Sequence, residues 1–252
     1  MSDPGTTPII EDISSIRWIT LNRPRQLNAL RVADLDVIYE AITAAPHDVR
    51  AIAITGAGDR AMGAGMHTET FQSLDKNAAR AVISKVGRAV GAIRLCPKPT
   101  AIVLNGYCLG AAFEMALAAD LRIAHHDVIV GLPETKLGIP SVVDAALLQN
   151  YVGLSLAKEM ILTGDLYRAA DITPSIINRW AQPLELHSVA TALLGKLTSL
   201  TPQVIAAQKD LFETWLNAPL QDGIAHSIEV FADCFDHPAT RAAVEAYRRK
   251  EH

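Results

Sequence analysis

Glu114 is the residue in this sequence whose surroundings bear most directly on chemistry. It sits among Ala111, Ala112, Phe113, Met115 and Ala116, neighbours that imply burial. An ionised carboxylate taken out of water is costly unless it is paired. Glu114 is therefore read as either a structural ion-pair partner or an acid–base group with a raised pKa. The helix carrying it is expected to begin near Leu109-Gly110. Its first N–H groups have no intrahelical acceptor and lie at the positive end of the dipole, so an oxyanion would be stabilised there. The small residues at 110–112 allow close approach to that backbone, although they also suit plain helix–sheet packing. A second small-residue turn, AMGAGM at 61–66, could aim another N–H outward or could be an ordinary surface loop. Glu134 follows an apolar run and Pro133. Lys136 is close enough in sequence to be its surface partner, and a separation of 20 residues does not itself bring Glu114 and Glu134 together.

Other chemistries find little support. There is no Walker A lysine, no GxGxxG between strand and helix, and no GxSxG elbow. His125-His126 has no HxxxH or HExxH companion, so no metal site is expected. Cys96, Cys108 and Cys234 form no CxxC pattern and cannot all pair, which fits a reducing, cytoplasmic setting.

The elements needed to position these groups follow from the pattern of apolar residues. Residues 16–21, 51–55, 101–104, 121–124 and 128–132 read as strands, and 29–45 and 76–95 as helices between them, an α/β alternation. Past Pro140 the chain reads as almost wholly helical, with amphipathic stretches at 189–197, 201–217, 220–235 and 238–249. Thr201 is a plausible cap before Pro202. Asp144 in this region is read as an exposed helical carboxylate, with approach to the site as the alternative. The apolar stretch 100–119 reads as strand, turn and helix rather than a membrane span, because Glu114 lies inside it. At 252 residues, the chain fits an α/β core over 1–195 and a helical region over 196–252. The N-terminal MSDPGTTPIIEDISS lacks the features of an export signal. With 23 Lys plus Arg against 27 Asp plus Glu, a net charge of -4 disfavours nucleic-acid or anionic-membrane partners.

Taken in order, LNRPRQLNAL at 21–30, DRAMGAGM at 59–66, NGYCLGAAFEMALAADLRIA at 105–124 and LPETKLGIPS at 132–141 resemble the enoyl-CoA hydratase/isomerase (crotonase) family. FDHPATRAAVEAYRRK, near the C-terminus, is similar to that family's tail. The resemblance implies a spiral of ββα units with a helical C-terminal trimerisation region. It implies a homotrimer or dimer of trimers, an acyl-CoA thioester as substrate, and no cofactor beyond the coenzyme A of that substrate. By motif position the catalytic carboxylates are Glu114 and Glu134, and the oxyanion donors are the backbone N–H groups of Met66 and Ala111. Substrate contacts fall on Arg25, Ala64, Gly65, His67, Gly110, Ser141 and Phe235, with Arg248, Arg249 and Lys250 as further candidates for coenzyme A. The implied reaction is hydration of a trans-2-enoyl-CoA. The alternatives are double-bond isomerisation, another acyl-CoA reaction on this fold, or silent acyl-CoA binding. Three departures mark this chain: His67 stands where the family usually has Asp, Gly110-Ala111-Ala112 replaces a run of glycines, and LGIPSVVDAALL is one residue short.

Overall fold

The computed structural model describes residues 7–173 and 176–250, the last by its backbone only; residues 1–6, read above for an export signal, and the Lys250 side chain lie outside the described residues. The chain opens with an antiparallel pair, β1 (Ile9–Ile13) and β2 (Ile16–Leu21), followed by helix α1 (Val32–Thr43). Three repeats of one idea follow. β3 (Ala51–Gly56) and β4 (Ala61–Gly63) precede α2 (Lys76–Arg94), and β5 (Thr100–Leu104) and β6 (Tyr107–Leu109) precede α3 (Ala111–Ala118). β7 (Leu121–Ala124) and β8 (Ile129–Gly131) precede a 3-10 turn, Pro133–Leu137. In each repeat the first strand joins one sheet and the second joins another.

The larger sheet has the order β1-β2-β3-β5-β7-β10, with β10 at Arg179–Trp180, and is parallel throughout except for the first pair. The smaller has the order β4-β6-β8-β9, with β9 at Leu166–Arg168 antiparallel to β8. Strands with both faces covered read as continuous apolar runs, and β5, TAIVL, is buried at every position. One face of the large sheet packs on α1, α2 and α3, where Ile19, Ile54, Ile102, Leu35, Val90 and Phe113 join a single core. The opposite face, with Trp18, Ala53 and Val103, is closed by Leu186, Ala190 and Leu194 of a helix at Leu186–Thr198.

β9 and β10 are the strands within the almost wholly helical region past Pro140, and β4 corrects the reading of 61–66 as a surface loop, since Ala61, Met62 and Gly63 are all buried in the small sheet. These strands have two or three residues each, too few to show an alternation. The remaining helices, in chain order, are α4 (Leu148–Val152), α5 (Leu154–Thr163), α6 (Ala169–Ile172), α7 (Leu186–Thr198), α8 (Pro202–Asn217), α9 (Leu220–Cys234) and α10 (Pro238–Lys250). Thr201 occupies the cap position of α8 and Pro202 its first turn, but the threonine side chain makes no capping bond. The stretch 100–119 is strand β5 and helix α3 as expected, with a short strand, β6, added after the turn, and no helix among the described residues is long and apolar enough to cross a membrane. All three cysteines are free thiols, Cys96 and Cys108 buried and Cys234 half-buried at the end of α9.

Candidate active site

Two backbone turns meet at the start of α3. After β4, the Ala64 N–H donates to the Leu27 carbonyl at 2.9 Å, Leu30 N–H to Gly65 O at 2.8 Å, and His67 N–H to Leu30 O at 2.8 Å. The last two bonds make a one-residue parallel bridge between Leu30 and Met66. In a parallel bridge the bonds are made by the neighbours of one partner, so Met66's own N–H is turned away from Leu30. Gly65 has φ +81, and a Cβ there would stand 2.9 Å from Leu109 O and 3.3 Å from Ala111 N. A bare α-carbon in a left-handed conformation is what lets this turn lie against the helix start. Ala111 is the first residue of α3, so its N–H has no intrahelical acceptor. Among the described residues neither the Met66 nor the Ala111 N–H has a backbone acceptor.

Both residues line a cleft of about 560 Å³, counted with the solvent at its mouth. Glu114 and Glu134 line it too, with Ala64, Gly65 and Gly110; Phe71, Ile83, Leu137 and Ile139 add apolar wall. The fold thus brings together the two carboxylates and the two candidate N–H donors that lie 20 and 45 residues apart in sequence.

Glu114 lies one turn into α3, where every residue from Ala111 to Ala118 is buried; it is itself 3% exposed. Burial first, then the like charges of Glu134 and Asp144, push its carboxyl up to about 8, against a smaller opposing effect of the Val142 N–H. Glu134 sits on the 3-10 turn Pro133–Leu137 and rests on the bare α-carbon of Gly110: a Cβ at 110 would stand 2.7 Å from Glu134 Oε1. Ser141 Oγ donates to Glu134 Oε2 at 2.7 Å. Lys136, expected as the partner of Glu134, pairs instead with Asp165 at 2.7 Å. Burial leaves Glu114 holding its proton at neutral pH, and Glu134 lines the same cleft. Such a pair can give a proton at one point and accept one at another.

The other expected contacts scatter. Ser141 bears on the cleft through Glu134. His67 faces the adjoining 3-10 turn, Thr68–Phe71, where its Nδ1 accepts from the Glu69 N–H at 3.4 Å. Arg25 is exposed on the turn Pro24–Gln26, and Phe235 packs on Phe231 beyond α9, with ring centroids 5.3 Å apart. Among the described residues of one chain, none of these three lines the cleft. Arg249 pairs with Glu245 within α10, and Arg248 is exposed.

Asp144 overturns its reading as an exposed helical carboxylate. It is 8% exposed and its Oδ1 meets Arg94 Nε at 2.8 Å. The signal that marks Glu114 was present here as well: one acid inside an apolar run, SVVDAALL.

A family model described as enoyl-CoA hydratase/isomerase matches residues 11–252. The chain is 27% identical over 246 residues to a protein named short-chain-enoyl-CoA hydratase from Clostridium acetobutylicum, covering 96% of this chain and 94% of that one. It is 28% identical over 249 residues to a crotonyl-CoA hydratase from Syntrophomonas wolfei, covering 96% and 95%. The solved structure of Pseudomonas aeruginosa DspI superposes with a TM-score of 0.92 at 27% identity, over 99% of this chain and 97% of that one.

Proposed function

This chain belongs to the enoyl-CoA hydratase/isomerase family, and from that premise we propose that it adds water across the double bond of a trans-2-enoyl-CoA to give a 3-hydroxyacyl-CoA. Its fold is the crotonase-like spiral of ββα units with a helical C-terminal region. The observation that carries the reading is the cleft in which Glu114 and Glu134 lie beside the Met66 and Ala111 backbone.

In this mechanism the thioester carbonyl lies between the Met66 and Ala111 N–H groups, which bind the enolate oxygen more tightly than the starting carbonyl. Charge stabilised only as it develops is what raises a rate, and losing one such donor costs about 2.7–4 kcal/mol. The glutamate pair holds one water. The ionised carboxylate takes a proton from it as its oxygen bonds to the β-carbon, and the protonated carboxyl delivers its proton to the α-carbon. The pair ends the cycle with the proton count it began with. Ser141 orients Glu134 by its hydrogen bond. The names of relatives at 27% and 28% identity support this reaction class.

Turnover of a trans-2-enoyl-CoA in oxygen-18 water tests the reading. The label is expected on the β-carbon, and Glu114→Gln and Glu134→Gln should each abolish it. Acyl-CoA affinity should stay within about tenfold, roughly 1.4 kcal/mol, by calorimetry, because the thioester is held by the main chain. Conversion of a 3-enoyl-CoA to its 2-enoyl isomer without any hydroxyacyl product, with only one glutamate needed, would replace hydration by isomerisation. Binding with neither reaction would leave a silent acyl-CoA binder.

The same reading includes self-association through the tail. Phe212, Trp215, Ile228 and Phe231 on α8 and α9 stand 46–68% exposed in the single chain, apolar faces of the kind that mark contact between copies.

A further inference from the structure

Glu134 reaches the cleft from a five-residue 3-10 turn, Pro133–Leu137, whose own hydrogen bonds are poorer in geometry than those of an α-helix. What seats that turn is the end of α5. Gly164, buried directly after α5, has φ +63, and its N–H donates to the Met160 carbonyl at 3.0 Å. A Cβ at 164 would stand 2.8 Å from Thr135 Oγ1, 3.2 Å from Lys136 Cγ and 3.3 Å from the Pro133 α-carbon. Pro133 and Thr135 are the two chain neighbours of Glu134, so the bare α-carbon of Gly164 meets the turn on both sides of the carboxylate's own backbone. Thr135 Oγ1 also donates to the Ile161 carbonyl at 3.2 Å. The strand leading into the turn rests on the same corner: Gly131 pairs with Leu166 across β8 and β9, and a Cβ at 131 would stand 2.9 Å from Asp165 O. The support is firm, because Ala157 and Met160 bury α5 in the main core.

Resting on the assignment of Glu134 to the hydration reaction, we propose that Gly164 and Thr135 are positioning residues for Glu134. Their contact sets how far the turn stands from α5, while Ser141 directs the carboxylate that the turn carries. The pair of Lys136 with Asp165 spans the same corner, but both side chains are more than half exposed, and such pairs are worth little. A methyl group added at 164 has to move the turn as a whole, since one of the atoms it meets is the Pro133 backbone. Misplacing a reacting group by about 1 Å can cost about 100-fold in rate. The thioester, held by the Met66 and Ala111 N–H groups, should feel the same displacement far less.

Kinetics on a trans-2-enoyl-CoA, with calorimetry on butyryl-CoA, test this. Gly164→Ala should lower kcat by about tenfold or more while KM and butyryl-CoA affinity stay within about threefold. Gly153→Ala is the control: at the other end of α5, Gly153 has φ +78 and nothing within 4 Å of a Cβ, so the change strains the backbone without meeting a neighbour, and kcat should hold within about twofold. An equal loss of kcat in Gly153→Ala would reduce the effect to strain and overturn the proposal, as would an unchanged kcat in folded Gly164→Ala. If Gly164→Ala does not fold, Thr135→Val decides. It keeps the side-chain shape without the hydroxyl, and should lower kcat at constant KM, with Thr135→Ser restoring it; an unchanged kcat in Thr135→Val overturns the proposal. A crystal structure of whichever variant folds separates this role from the assigned reaction, because the 2.7 Å contact of Ser141 Oγ with Glu134 should open. If the native protein hydrates nothing and that contact still opens, only the hydratase reading falls; an intact contact overturns the positioning role.

Discussion

Glu114 makes the stability of the whole protein depend on pH. In the unfolded chain it titrates at its ordinary 4.5, whereas in the fold it holds its proton up to about 8. Between those values the folded state binds more protons than the unfolded state, so stability falls as pH rises. Its contribution is fully present below about pH 4.5 and gone above about pH 8, a loss on the order of a few kcal/mol. Urea melts at pH 5 and pH 8 measure it: the native protein should lose stability across that window, and Glu114→Gln should remove most of the loss. An identical loss in the variant would mean that Glu114 is not carrying the proton. Gly110 acts on the other half of the pair. Its missing side chain is the space in which the Glu134 carboxylate rests, so residue 110 governs the position of a group 24 residues further along.

At the scale of elements, what could be read in the sequence was what had length. The 12-residue α1, the 19-residue α2 and the five- and six-residue strands β2, β3 and β5 carry enough turns or alternations to show their period. Of the small sheet only β8 is read, within 128–132; β4, β6 and β9 have three residues each, and their pairing depends on neighbours far away in the chain. Of the site, Glu114 was legible because an acid inside an apolar helix needs explaining. Its meeting with Glu134 came from the family resemblance and not from the residues themselves. For Asp144 the exposed reading was preferred over approach to the site because helical periodicity says nothing about a positive φ, +54, at Val143. A second buried charge also went unread: Asp34, 0% exposed, accepts from Arg23 Nη2 at 3.0 Å and from the Arg31 N–H at 2.7 Å, fastening the start of α1 to the segment after β2. Removing one member of a buried pair strands the other. Asp34→Ala should therefore cost about 3–5 kcal/mol of unfolding free energy in chemical denaturation. A loss below about 1 kcal/mol, in the range of exposed pairs, would show that water reaches Arg23.

For the whole molecule, the α/β layers are closed on both faces of the large sheet, while α8 and α9 present aromatic and aliphatic side chains outward. Sedimentation at micromolar concentration should give an oligomer, and a stable monomer would overturn self-association through the tail. The free thiols offer an independent way to watch the same event. Cys96 and Cys108 are buried in the core, and burial pushes both thiols up, which suppresses the reactive thiolate. Cys234 alone is partly open, at the end of α9 and next to Phe235. Alkylation of the native protein should thus strike one position first, and its speed becomes a clock for the tail. If copies cover that helix, dilution should quicken the labelling; if nothing covers it, the half-time should be the same at every concentration.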